Sequence, residues 1–227
     1  LDGNGQDDFV KILAGVQQSH GGTTEISDGN GKFIKYNSLD DAKKNGISFV
    51  SGDRKKEGIL PNLSIYENLV VPLYKKTSRA GFLGFVDWLE LNGIFDWEVD
   101  RLSIKTGPRD NLIGSLSGGN QQKVMIARSF AQHPKVLILN DPARGIDVST
   151  KRDLYTHLRN YVEEGNTAVF LSSELEEFIG LCPKVMVFRN GAVFDIFENE
   201  NVNADTLLEG MFGQTAGIGE TKIYSKS

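Results

Sequence analysis

Apolar residues recur along this chain in two rhythms, short strand-like runs and longer helical stripes. Their alternation predicts an α/β chain with a mostly parallel sheet covered by helices on both faces. Phe9, Val10, Ile12 and Leu13 predict a helix over 6–13, with Gly15 just past its end. Residues 23–36 read as a small antiparallel hairpin turning at Asp28-Gly29-Asn30-Gly31. Ser38, followed by Asp40 and Asp41, opens a short helix, and Ile47–Val50 has the character of a buried strand. From 61 to 112 the pattern turns helical. One helix is expected around 68–73, and 81–104, which carries Trp88 and Trp97, predicts amphipathic helices broken at Asn92-Gly93. Then follow a helix from Ser117 through Ala131, a strand at 135–139, a helix at 149–163, a strand at 167–172 and a helix from Glu174. Strands at 185–188 and 192–197 flank an Asn190-Gly191 turn, a helix lies near 204–212, and 214–227 reads as a loose polar tail. The organisation expected is a core over 1–60 and 113–213 with an α-helical insert at 61–112.

Composition changes this picture little. With 227 residues, 39% apolar and 24% charged, the chain can bury a full core. A net charge of −5 leaves no basic footprint, so no nucleic-acid partner is expected. The single cysteine, Cys182, cannot form an internal disulfide and fits a reducing compartment. No apolar run approaches the roughly 18 residues needed to cross a bilayer, so any membrane role is expected to come through a partner. The chain opens inside a glycine-rich turn, Leu1-Asp2-Gly3-Asn4-Gly5, of a kind that ordinarily follows a buried strand, and so it reads as a fragment of something longer.

Two glycine-rich helix starts carry candidate chemistry. Ser117-Gly118-Gly119-Asn120-Gln121 offers a hydroxyl, bare backbone amides and a helix dipole to an anion, although an N-capped helix with a tight turn accounts for Ser-Gly-Gly alone. A phosphate-binding loop reads G-x-x-x-x-G-K-[ST]. Laid on the start of this chain, Gly5 takes the second glycine, Gln6 the lysine and Asp7 the hydroxyl position, with Gly3 inside the turn. Gln6 offers only a dipole where a full charge is worth about 4 kcal/mol at ~4 Å and an effective dielectric near 20. Asp7 adds repulsion of similar order. Asp7 and Asp8 also complement a helix dipole without any nucleotide. The three histidines, His20, His133 and His157, read as ordinary surface residues.

The run Leu116–Gln122, then Lys123, Ile126-Ala127-Arg128 and the apolar strand Val136-Leu137-Ile138-Leu139, resembles the signature loop and Walker B strand of an ATP-binding-cassette (ABC) ATPase of the P-loop NTPase fold. With Asp53-Arg54-Lys55-Lys56-Glu57-Gly58, Arg144-Gly145-Ile146-Asp147-Val148 and Ser172-Ser173-Glu174, the chain is similar to the second, C-terminal cassette of the ATP-binding subunits of bacterial monosaccharide importers of the ribose/galactose/xylose type. A phosphate loop lacking its lysine is common in that cassette.

The resemblance assigns further positions. Asn140 stands where a magnesium-holding aspartate is usual, a poorer ligand for a hard cation, and Asp7 is a doubtful metal contact. Asp141 stands at the catalytic glutamate, one methylene shorter, and a displacement of ~1 Å costs on the order of a hundredfold. Ser173 stands at the switch histidine and Gly52 at the Q-loop glutamine, so four positions facing nucleotide in cis are altered together. Pro142–Asp147 resembles the D-loop, which crosses to a partner cassette. The resemblance implies ATP and Mg2+ held mainly on a partner's phosphate loop and clamped by Ser117, Gly118, Gly119, Asn120 and Gln121. It implies as partners a competent cassette, expected in the N-terminal half of the same polypeptide, membrane permease subunits and, indirectly, a periplasmic or extracellular sugar-binding protein. Permease contact is expected through 52–75, at Glu57, Asn62 and Tyr66, on the cytoplasmic face of the membrane. Two other readings stand beside this one, an ABC ATPase active in its own right and a non-transport ABC protein.

Overall fold

The computed structural model describes residues 3–74 and 86–213. They fall into two compact units, one of residues 8–171 and one formed by the first seven residues with those from 172 onward.

The larger unit is built on three parallel strands in the order β3 (Ile47–Val50), β4 (Val136–Asn140) and β5 (Thr167–Leu171). Side chains alternate across a strand, and here both sides are apolar. Leu137 and Leu139 of β4, with Val50, Ala168 and Phe170, face one cluster. That cluster is built by α3 (Ile65–Val70), α4 (Trp88–Arg101), α5 (Gly118–Phe130) and α6 (Val148–Glu163). Ile138, with Ile47, Val136 and Val169, faces the other cluster, made by α1 (Gln6–Leu13), α2 (Leu39–Lys44) and the hairpin of β1 (Thr24–Ser27) and β2 (Phe33–Tyr36). The anchor between that hairpin and α1 is Tyr36, whose hydroxyl donates to the Leu13 carbonyl at 2.8 Å.

Helix starts follow their caps. Ser38 accepts from the Asp41 amide and Ser117 from the Asn120 amide. Ser64 forms a capping box: its hydroxyl oxygen accepts from the Glu67 amide at 3.1 Å, and Glu67 accepts the Ser64 amide at 2.8 Å. Ser64→Ala is expected to cost about 1 kcal/mol, read as a fall of about 2–4 °C in melting temperature.

Two expected elements differ. The segment expected to break at Asn92-Gly93 is one continuous helix, α4. Leu91 and Phe95, one turn apart, are both buried, Asp87 caps the start through the Leu89 and Glu90 amides, and Gly93 faces open space. Burial on either side outweighs the turn preference of Asn-Gly. Residues 81–85, expected to open this segment, lie outside the described residues, as does the tail at 214–227. The helix expected from Glu174 is only a 3-10 turn, Leu175–Glu177, with Gly180 at φ 73° and Pro183 soon after.

The smaller unit pairs β6 (Lys184–Arg189) with β7 (Ala192–Glu198) antiparallel, with a register shift between Val187 and Phe188. Val185 and Val187 pack on Val202 and on Leu207 of α7 (Ala204–Phe212). Among the described residues no helix is long and apolar enough to cross a membrane.

Candidate functional site

The first turn of α5 is held from below by its own side chains. Gln121 turns its amide inward, Nε2 donating to the Leu116 carbonyl at 3.0 Å and more weakly to that of Ile113 at 3.4 Å. Asn120 bridges sideways: its Oδ1 accepts the Lys105 amide at 3.0 Å and its Nδ2 donates to Ser117 Oγ at 3.0 Å. Ser117 is exposed, and its hydroxyl accepts from Asn120 while its own hydrogen goes to no described protein group. The amides of Gly118 and Gly119 belong to the helix's first turn, where no intrahelical acceptor exists. Hydroxyl and amides thus converge at the positive end of a 13-residue helix.

A neighbour that the sequence did not single out for this role completes the loop. The π-helical turn Arg54–Gly58, capped by Asp53, sends Arg54 Nη1 to the Gly118 carbonyl at 3.0 Å. The signal was present in the Asp-Arg-Lys-Lys-Glu-Gly run, but its partner lies 64 residues away in sequence.

At the end of β4, Asn140 is buried, and Gly52 packs against it. A Cβ at Gly52 would lie 3.1 Å from the Asn140 carbonyl oxygen and 3.3 Å from its Oδ1. The two departures read separately in the sequence therefore touch, and a longer residue at 52 requires Asn140 to move. Asp141 adopts φ 45°, a region that Asp tolerates better than most residues, and its amide donates to the Leu171 carbonyl at 2.7 Å. Asp147 caps α6, where Ser149 first, then the amide and hydroxyl of Thr150, hold its carboxyl far below the usual carboxylate range.

In the smaller unit, the glycine turn before α1 is occupied by its own residues. Gln6 Oε1 accepts the Asn4 amide at 3.1 Å. Asn4 also ties the turn to the β6–β7 connection, accepting the Asn190 amide on Oδ1 at 3.0 Å and the Gly191 amide on its carbonyl at 3.1 Å. Gly5, at φ 94°, has Gly191 Cα 3.1 Å from where a Cβ would sit, so only glycine fits there. Gly3 and Asp7 are exposed, as is Ser173, while neighbouring Ser172 donates to Glu177.

Two surface expectations need correction. Tyr66 is buried under Phe95 and Arg109, because α3 turns its aromatic face to the core. Glu57 and Asn62 are exposed. His20 and His133 are exposed, but His157 is half-buried, and burial first, then the Arg101 charge, lowers its pKa. Among the described residues no cluster of three or more His, Cys, Asp or Glu could hold a metal.

Residues 2–144 match the family model described as ABC transporter. The chain is 33% identical over 213 residues to the ribose import ATP-binding protein RbsA of Roseobacter denitrificans, covering 94% of this chain and 40% of that protein. It is 35% identical over 209 residues to the protein of the same name from Bacillus cereus, covering 92% and 41%. The chain thus spans about 40% of the length of these curated relatives. In fold it is similar to a dimeric ATP-binding cassette in a post-hydrolysis state with ADP and Pi (TM-score 0.74, 22% identity, 87% of this chain and 82% of that one). It is similar also to a nucleotide-free cassette of an ABC transporter (TM-score 0.74, 19% identity, 97% and 86%).

Proposed function

The chain belongs to the ABC transporter family, and from that premise we propose that it is the second cassette of a monosaccharide importer's ATP-binding subunit, with a degenerate site of its own and a signature loop that completes the ATP site of a competent partner cassette. The observation that carries this reading is the contrast between its two glycine-rich helix starts. At α5 the Ser117 hydrogen and the Gly118 and Gly119 amides are available to an anion from outside. At α1 the lysine position is a neutral Gln6 whose carbonyl already takes the Asn4 amide.

ATP with its magnesium, held on the partner's phosphate loop, supplies the transferable phosphoryl group. This chain supplies the opposing donors: Ser117 and the first-turn amides of α5 bind the terminal phosphate oxygens and orient them. Its own residues do not fit a magnesium triphosphate. In the larger unit buried Asn140 is neutral at the position of the cation ligand and Gly52 confines it; in the smaller unit the hydroxyl position of the phosphate loop is Asp7, whose charge opposes a phosphate bound by that loop. No step is therefore routed through a nucleotide bound in cis. The relatives' names support a sugar, ribose among the candidates, as the solute. In this reading the competent cassette lies on the same polypeptide. The assembly sits peripherally on the cytoplasmic face of a membrane, against permease subunits that receive solute from a binding protein. The insert at 61–112, which includes exposed Asn62, faces those permeases together with exposed Glu57 just before it.

The reading is tested by phosphate release. Gln6→Lys in the isolated chain is expected to leave turnover at background, because Asp7 and Asn140 still misplace charge and metal. Magnesium-dependent turnover in that variant, lost again on changing Asp141, would overturn the degenerate assignment.

A further inference from the structure

We propose that Arg54 is a positioning residue for the signature loop, holding the start of α5 through the Gly118 carbonyl. This rests on the reading that the loop serves a partner's ATP. Arg54 Nη1 donates to that carbonyl at 3.0 Å, and a Cβ on Gly118 would lie 2.9 Å from Arg54 Nη2. The guanidinium thus lies directly over Gly118, and a side chain there would have to displace it. The helix dipole does not explain the placement. A cation beside the first turn opposes the dipole, whose positive end lies there, so it is the hydrogen bond to the Gly118 carbonyl that holds Arg54 at this place. Such a cation agrees with a first turn that receives an anion. The Arg54 Nε is buried with no hydrogen-bond partner, a further cost borne at this spot.

The π-turn that carries Arg54 is tied by its own hydrogen bonds and is strapped to α5 at its other end as well. Ser51 Oγ donates to Glu57 Oε2 at 2.5 Å and accepts the Asp53 amide at 3.2 Å, and Asp53 accepts the Lys56 amide at 3.1 Å. The Gly58 carbonyl accepts from Arg128, further along α5, and Gly58 itself lies against Met125. Single π-turns cluster at functional sites. This one joins the end of β3 to both ends of the signature helix, so a shift of residues 51–58 reaches Ser117 through Arg54.

Hydrogen exchange on the chain, combined with steady-state ATPase of a lysine-bearing cassette from a ribose import ATP-binding protein mixed with it, tests the assignment. Arg54→Ala is expected to speed exchange at 117–121 while leaving 65–70 and the remainder of α5 unchanged. It is expected to lower the partner's kcat on the order of tenfold with KM for ATP held, since ATP stays on the partner's loop. Arg54→Lys, which keeps a charge but not the planar fork, is expected to recover part of the rate. Ser117→Ala is run in parallel. Unchanged exchange at 117–121 in Arg54→Ala overturns the positioning role, and so does a full rate in Arg54→Ala when Ser117→Ala is slow. If Ser117→Ala is also at full rate, the trans reading itself is wrong, and the positioning of that loop by Arg54 for a partner's ATP falls with it.

Discussion

Ser117→Ala is expected to slow ATP hydrolysis by a lysine-bearing partner cassette on the order of a hundredfold, the loss typical when one preorganised donor is removed from an oxyanion-binding site. The hydroxyl is exposed, stands at the positive end of α5 and keeps its hydrogen uncommitted among the described residues. Its second role is to cap α5 by accepting from Asn120, so alanine is also expected to cost about 1 kcal/mol of stability. Ser117→Asn separates the two roles. Asparagine caps a helix about as well as serine but presents a bulkier amide in place of the hydroxyl, so its melting temperature should match the parent while the partner's rate stays low. A partner rate unaffected by either substitution would remove the signature loop from the chemistry.

The reason this loop could be read in advance while its surroundings could not lies in the range of the forces involved. Ser117 and Ser38 sit at helix starts because a cap acts within three residues, and both are visible in sequence. Strand β4 was legible for a related reason: with both faces covered, Val136–Leu139 is apolar throughout. What failed was decided at long range. Asn92-Gly93 looks like a turn until Leu91 and Phe95 are seen to be buried on either side of it. Tyr66 looks like a surface residue until Arg109 and Phe95 cover it. At the site, Gln6, Asn140 and Gly52 were legible as departures from a pattern. The Gln6 bond to Asn4, the contact of Gly52 with Asn140 and the reach of Arg54 to Gly118 were not, because each depends on where the backbone brings its partner.

Long-range burial also sets a large expected pH effect in the neutral range. Between pH 4 and 8 the chain is expected to lose about 3 kcal/mol of stability through Glu98 alone, the free energy separating an ordinary glutamate from one held at about 7. Glu98 lies in α4, 1% exposed, with Oε1 lacking a partner and Oε2 bound to Arg101 Nη2 at 2.8 Å. Burial raises its pKa, and the Arg101 charge, spread between the rings of Trp97 and Phe130, only partly opposes it. The folded state therefore holds the proton more tightly than the unfolded chain. The contribution is complete below the ordinary glutamate value and disappears as pH rises through about 7. His157 on α6 runs the other way: burial first, then Arg101 with a smaller push from Lys123, depresses its pKa, while Asp153 opposes the shift. Its contribution is present above the ordinary histidine value and fades as pH falls. The parent profile is thus the difference of two opposed slopes, and Glu98→Gln should remove only the first. Urea midpoints measured from pH 4 to 8 should then fall with pH less steeply in Glu98→Gln than in the parent, while Arg101 keeps an amide oxygen to bind. Parallel profiles for the two proteins would mean that Glu98 is already ionised in the fold at low pH, with the Arg101 pair outweighing the cost of burying it.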